Sequence, residues 1–434
     1  MKIKKGLLAA CLTMMLQVNA AAVNAECGVV DLTCPDLVDA HPPTVKDMLT
    51  WDQHDRVIGF RNDYRSYTGD VFKARADAQP LPKALKRLAD TAYVFNDHSY
   101  TLSDYLVRNN VTGLLVIKDG KIAYEYYGQG NNNTTLWTSR SVGKSVVSTL
   151  VGIALKEGKI ASLDDLVVKY NPDVKGTVWE NVTIRQLLQH TSGVEWTENY
   201  TDPTSDFAQL TQCEAGGHAY ACVNRLIKSK NRKADAKPGE VWLYSSGGAW
   251  LLGDTLEKAT GVSIATYLQE KIWQPAGMNR DGVWHSYQKG QHDVGAHGFN
   301  ATLEDWGKFG LFIANNGVLP DGRSVLPDNW VKQARTWNQA KNSVSAKHPE
   351  GIYGYEWWNN SVPANYSGQY TNKLTSHDTL WALGIFGQMI VVNQPEHLVI
   401  VQWSTWPEAE PPFDAQPLEA ALMFNAIADK LYHQ

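Results

Sequence analysis

An α+β fold, with one antiparallel sheet assembled from both ends of the chain around a mainly helical insertion, is predicted by three observations. The stretch "VTGLLVIKDGKIAYEYYGQG" (Val111 to Gly130) holds two apolar runs joined by Asp119-Gly120, a dipeptide suited to the positive φ angles of a tight hairpin. Near the other end, "ALGIFGQMIVVNQPEHLVIVQWS" holds two more β-rich runs around the polar turn "NQPEH". From about Ala161 to about Gly317 the pattern is mainly helical, in segments such as "TIRQLLQHTSG", "GGAWLLGDTLEKATG" and "TLEDWGKFGLFIANNG" that each end at a glycine. This order implies a sheet domain from 111–160 and 318–434, an inserted helical domain at 161–317, and an active site between them.

The chain begins with "MKIKKGLLAACLTMMLQVNAAAVNAEC": three lysines, an apolar stretch from Leu7 to Leu16, then small residues before Glu26. That is the layout of a secretory signal peptide over 1–25, and the expected location is periplasmic or secreted. The apolar stretch is too short to cross a bilayer and no other segment qualifies, so no membrane span is expected. "LAAC" at Leu8 to Cys11 resembles a lipoprotein cleavage box but precedes most of the apolar run, which ranks it below simple export. Removal of the leader leaves Cys27, Cys34, Cys213 and Cys222, whose two close pairs fit local disulfides in an oxidising compartment; unpaired buried thiols are the alternative. No CxxC or HExxH occurs, so no metal is expected. Residues 26–110 have weak periodicity and scattered prolines and read as an N-terminal extension.

Composition narrows the function. The 434 residues are 43% hydrophobic and 20% charged with a net charge of -5, which describes a mildly acidic globular protein and argues against a nucleic-acid partner. No cofactor is implied, and the oligomeric state is not readable.

The stretch "LWTSRSVGKSVVSTLVG" (residues 136 to 152) carries the chemistry. Val146, Val147, Leu150, Val151, Ile153, Ala154 and Leu155 are apolar on nearly all sides, which predicts a central buried helix ending at Gly158. Ser141 lies at its start, and Lys144, three positions on, shares its face. Burial and the helix N-terminus both disfavour a charged lysine, so Lys144 is a candidate base for a Ser141 nucleophile. S-x-x-K alone is a weak signal: "SYQK" (Ser286 to Lys289) is a second copy, read as surface because no apolar helix follows it. A G-x-S-x-G elbow is the rival reading, but "SRSVG" lacks the first glycine and the surrounding strand-helix alternation.

Further motifs follow in order: "TIRQLLQHTSGV", "KPGEVWLYSSGGAWLLG" and "GIFGQ". With "SVGK" the set resembles the serine β-lactamase and penicillin-binding-protein superfamily, with its S-x-x-K, Y-x-N and K-T-G motifs, from about Val111 to the C-terminus. "ENYTDPTSD" and "YGYEWW" are similar to the branch containing 6-aminohexanoate-dimer hydrolases and related esterases. The resemblance implies a β-lactamase/transpeptidase-like fold, Ser141 as nucleophile, Lys144 as base, and Tyr244 as proton shuttle with its pKa lowered by the nearby ammonium. It places the oxyanion hole at the backbone N–H groups of Ser141 and Gln388. Ser246, Ile385, Phe386, Gly387 and Trp358 would contact substrate, Tyr355 and Trp357 could line an apolar cleft, and His190 would be structural. Two positions depart from the pattern: Ile385 stands where a cationic or histidine side chain is usual, and Ser246 replaces the asparagine of Y-x-N. Both losses weaken the case for anionic β-lactams and favour small esters or uncharged amides. A DD-peptidase or β-lactamase-like enzyme, and a sensor that binds without turnover, are the alternatives.

Overall fold

The computed structural model describes residues 42–216, 218–234, 236–336, 353–359 and 379–432. The leader at 1–25 and the Cys27 and Cys34 pair lie outside the described residues.

Five antiparallel strands form the central sheet in the order Thr379–Gly384, Gln388–Asn393, Leu398–Ser404, Val111–Lys118, Lys121–Tyr127. The first hairpin turns at Asp119 (φ 51°) and Gly120 (φ 72°), the backbone its dipeptide predicts. The pairing of Leu398 with Lys118 joins the sequence-distant halves. Alternation along the strand sends Leu115 and Ile117 into one core and Leu114 and Val116 into another.

The first core holds the helices Val142–Lys156 and Leu303–Ala314. The second holds the helices Leu102–Arg108 and Gln416–Tyr432. Although Leu303–Ala314 falls in the stretch read as insertion, it packs on the central sheet. Gly307 and Gly310 permit the close approach: a Cβ would meet Leu115 and Ile117 at 2.6 Å from the former, and Val399 at 2.5 Å from the latter.

The remainder of 161–317 contains the helices Ile184–Leu188, Asp206–Glu214, Ala219–Lys228, Ser246–Thr260 and Ile264–Leu268. A disulfide joins Cys213 to Cys222, tying two of them together. The segment also contributes to a second sheet, in the order Asp70–Phe72, Gly282–Trp284, Phe299–Ala301, Trp137–Thr138. The N-terminal strand Asp70–Phe72 and the strand leading into Ser141 form the two opposite edges of this sheet. Phe72, fully buried, stacks edge-on against Trp273 at 4.6 Å. Ser286 is corrected from surface to core: it is 1% exposed, and its hydroxyl donates to Gln288 O (2.6 Å) and Gln291 O (2.8 Å), satisfying the turn that leaves Lys289 exposed. Among the described residues no helix is long and apolar enough to cross a membrane, and no group of three or more His, Cys, Asp or Glu side chains is placed to hold a metal ion.

Candidate active site

The strand Trp137–Thr138 ends as Ser139 N donates to Phe299 O at 2.8 Å, and the chain then turns at Arg140 (φ 47°) into the helix Val142–Lys156. Ser141 occupies the N-cap position but its hydroxyl makes no capping bond, so Oγ is left for other chemistry. Every helix residue from Val142 to Ala154 is buried. Lys144, one turn on and 2% exposed, places Nζ 2.8 Å from Ser141 Oγ and 2.8 Å from Ala296 O. Burial lowers its pKa from the ordinary lysine value, outweighing the opposing pull of Glu198, Glu356 and Glu214.

Tyr244 reaches the same serine from the segment ahead of the helix Ser246–Thr260. Its ring stacks on His190 at 4.6 Å and on Trp358 at 6.0 Å, with Lys144 Nζ 5.2 Å from its centre. Burial, then Glu198, pushes the phenol's pKa well above 10, against a smaller opposing influence of Ser141. The expectation of a lowered pKa is therefore corrected: the desolvation and nearby carboxylates outweigh the cation, and Tyr244 rests as a neutral proton donor. His190 braces this segment. Its Nδ1 accepts from Ser245 N (3.0 Å), so Nε2 carries the proton given to Glu356 (2.8 Å). The helix is locked to the same segment as Glu356 by Ser145 Oγ donating to Glu356 O and Ser148 Oγ donating to Tyr355 O.

The sheet supplies the opposite wall. Ile385, Phe386 and Gly387 form the turn between the strands Thr379–Gly384 and Gln388–Asn393. Only Ile385 of the three lines the cleft. Phe386 is fully buried against Phe60 at 5.4 Å, and Gly387 is covered by Trp406, so neither is placed to touch substrate. Gln388 is also fully buried: Nε2 donates to Ser404 O (2.7 Å) and Phe386 O (3.2 Å), while Oε1 accepts from Trp137 Nε1 (2.8 Å). It stitches the turn from behind, and its backbone, opposite Gly384 in the ladder, is not exposed to the cleft. Among the described residues the N–H groups of Ser141 and Ile385 have no backbone acceptor. Gly384 holds the two segments together, since a Cβ there would lie 2.6 Å from Ser139 O and 3.2 Å from Arg140 Cβ.

A narrow cleft opens over Ser141. Ser246 lines it, but its hydroxyl is committed to Glu198 Oε1 (2.5 Å) and its N–H to Glu198 Oε2 (3.0 Å). Glu198 thereby caps the helix Ser246–Thr260 and sets a carboxylate beside the reacting groups. Trp358 sits behind Tyr244, while Tyr355 and Trp357 are core residues at 3% and 1% exposure. Tyr200 and Phe207 line the cleft, as does Glu214, which accepts from Tyr287 (2.7 Å) and pairs with His297 (3.0 Å). Burial would raise Glu214, but His297 and Tyr287 hold it below its usual range. Val45, Met48 and Tyr67 of the N-terminal segment complete the wall. The basic side chains among these lining residues are engaged: Lys144 with Ser141, Arg140 with Asp63, His297 with Glu214. Sequence reasoning missed Glu198, Tyr200, Glu214 and the N-terminal residues; the first two lie in "ENYTDPTSD", a motif quoted without assigning roles.

A serine and a buried lysine on one helical turn, a tyrosine from the segment ahead of the helix Ser246–Thr260 and an antiparallel sheet edge opposite form one assembly. The beta-lactamase family profile matches residues 106–423. The chain belongs to the beta-lactamase family. It is a serine hydrolase with the β-lactamase/transpeptidase-like fold. The 6-aminohexanoate-dimer hydrolase of Paenarthrobacter ureafaciens is 26% identical over 310 residues, covering 68% of this chain and 73% of that protein. Penicillin-binding protein 4* of Bacillus subtilis is 33% identical over 142 residues, covering 32% of this chain and 28% of its own. In three dimensions, a Bacillus anthracis protein carrying the provisional name 6-aminohexanoate-dimer hydrolase superposes with a TM-score of 0.74 at 22% identity, covering 92% of this chain and 99% of that one.

Proposed function

We propose that this chain is an exported serine hydrolase that cleaves small esters or uncharged linear amides through an acyl-enzyme. The observation that carries the reading is the Ser141–Lys144 contact at 2.8 Å, with the Tyr244 ring centre 5.2 Å from the same Lys144 Nζ. Lys144, its pKa lowered by burial, takes the Ser141 proton as Oγ attacks the carbonyl carbon. The oxyanion settles between the Ser141 and Ile385 N–H groups, the latter replacing Gln388 in this role. Tyr244 gives its proton to the departing amine or alkoxide and recovers one from the Lys144 ammonium. Water then attacks the acyl-enzyme by the reverse route and releases the acid.

Electrostatics support the substrate class. Glu198 and Glu214 give the cleft an acidic lining, its basic side chains are already engaged, and Ile385 offers an aliphatic wall where a carboxylate-binding cation would stand. An anionic ligand loses water without a compensating partner. The name of the Paenarthrobacter relative makes linear amides a natural part of the same screen. The apolar leader pattern and the Cys213–Cys222 disulfide support export.

The test combines a fluorophosphonate label with a substrate panel. Mass spectrometry should place the adduct on the Ser141 peptide, and Ser141→Ala should abolish turnover. Short p-nitrophenyl esters and linear amides should be cleaved in preference to nitrocefin, and Ile385→Lys should shift efficiency toward nitrocefin. A label elsewhere, a wild-type preference for nitrocefin, or a burst without steady-state product would overturn the reading.

A further inference from the structure

The residue before the nucleophile is strained. Arg140 is not glycine, yet its φ is 47°, in the left-handed region that costs a side-chain-bearing residue of order 1–3 kcal/mol. The Ser141 N–H belongs to the peptide joining Arg140 to Ser141, so the dihedral at Arg140 decides where that N–H points. Something must hold the arginine there. Its guanidinium, 6% exposed, lies 4.7 Å over the Phe60 ring, with Nη2 3.4 Å from Asp63 Oδ1, an ion-pair distance rather than an aligned hydrogen bond. Both partners come from the N-terminal segment.

Asp63 is itself held from several sides. It is fully buried at the end of the helix Gln53–Asn62, and its Oδ2 accepts from Thr138 Oγ1 at 2.6 Å. His285 Nε2 stands 3.4 Å from the same oxygen, and His285 in turn is stacked on Tyr67 at 4.0 Å. The carboxylate therefore grips the chain on both sides of Ser139: Thr138 by its hydroxyl and Arg140 by its charge.

We propose that Asp63 is a positioning residue for the hydrolytic reaction, locking Arg140 in its left-handed conformation so that the Ser141 N–H faces the oxyanion. The N-terminal segment is then a working part of the catalytic site and not an appendage to the fold. The inference rests on Ser141 as the nucleophile, which the fluorophosphonate adduct decides separately.

A double-mutant cycle tests it, because glycine adopts positive φ without a clamp. Steady-state hydrolysis of a short p-nitrophenyl ester is measured for Asp63→Asn, Arg140→Gly and the pair, with the thermal midpoint of each. Asp63→Asn should lower kcat about 10- to 100-fold, less than the roughly 10²- to 10³-fold lost when an oxyanion donor is removed outright, with KM within about twofold. In the Arg140→Gly background the same change should lower kcat by less than about threefold. If Asp63→Asn does not fold, Thr138→Val, which removes the 2.6 Å bond to Asp63, should show a weaker loss of kcat that the Arg140→Gly background also suppresses. Equal losses in both backgrounds, or a folded Asp63→Asn within twofold of wild type, would overturn the proposal. A loss confined to KM or to the thermal midpoint would overturn it too.

Discussion

Replacing Tyr244 by phenylalanine separates proton donation from every other service this residue provides. The ring would stay between His190 (4.6 Å) and Trp358 (6.0 Å) and near Lys144 Nζ (5.2 Å); only the hydroxyl is deleted. Stability should therefore change by no more than about 1 kcal/mol, the net value of one hydrogen bond at most. Catalysis should respond according to the leaving group. Burial and Glu198 hold the phenol's pKa well above 10, so the proton is present throughout the neutral range. An amine or an alkoxide must receive that proton as the bond breaks, and a positioned acid contributes about 10²- to 10⁴-fold, or roughly 3–5 kcal/mol of barrier. A p-nitrophenolate leaves as a stabilised anion and needs no such help. Comparing kcat/KM of wild type and Tyr244→Phe on a p-nitrophenyl ester and on the alkyl ester or amide of the same acid should give about a tenfold loss or less on the first. The second should lose about a hundredfold or more. The same factor on both substrates would refute the assignment of Tyr244 as the acid.

Four other outcomes are expected. Because the working form of Lys144 is the neutral amine, kcat/KM should rise with pH and level off below the ordinary lysine range, a limb that Lys144→Met removes. Gly384→Ala should drive the Ile385 segment away from Ser139 O and lower kcat about tenfold, with about 1–3 kcal/mol of destabilisation read by urea unfolding. Burial, with Asp254 as like-charged neighbour, pushes Glu257 up to about 7, and burial with Glu257 and Asp70 pushes Asp293 well above its usual range. Their native protons are lost on unfolding, so this stability is full below about pH 4.5 and declines as pH rises through about 7. The Glu257 share is roughly 3 kcal/mol, and urea unfolding of Glu257→Gln at pH 5 and 8 should show a smaller decline than wild type. Finally, reduction of Cys213–Cys222 should raise KM more than it lowers kcat, since the helix Asp206–Glu214 carries Phe207, Thr211 and Glu214 into the cleft; steady-state kinetics with and without dithiothreitol decide it.

What could be read from the sequence was local. Asp119-Gly120 demanded a turn through its backbone preferences, and a serine three positions before a lysine on an apolar helix needs only helical periodicity to meet. The residues that escaped notice owe their roles to distant partners. Asp63 and Tyr67 follow the helix Gln53–Asn62, whose buried face mixes Arg56 and Asn62 with Val57 and Phe60, and lead through a short 3₁₀ turn to a three-residue strand, which leaves little periodic signature. Glu198 becomes a site residue only because the helix Ser246–Thr260 brings its N-terminus to that carboxylate. Tyr244 was given the wrong sign because the lysine was visible in sequence, while the desolvation and Glu198 that outweigh it were not. Gln388 was misplaced for a similar reason: "GIFGQ" fixes a turn, but which amide of a turn faces the cleft depends on what packs behind it.

The pairing of Leu398 with Lys118 has a consequence for biosynthesis. Ser141 and Lys144 emerge from the ribosome early, yet Ile385 follows only after more than half the chain's length has been added, and the strands beside it come later still. Such non-local pairing is slow to form. Until the last strands arrive, the Ser141 helix lacks both its sheet wall and the Ile385 N–H that the proposed mechanism uses as second oxyanion donor. A growing chain would therefore carry its serine unarmed past every ester and amide it meets, and acquire reactivity only when its two ends close.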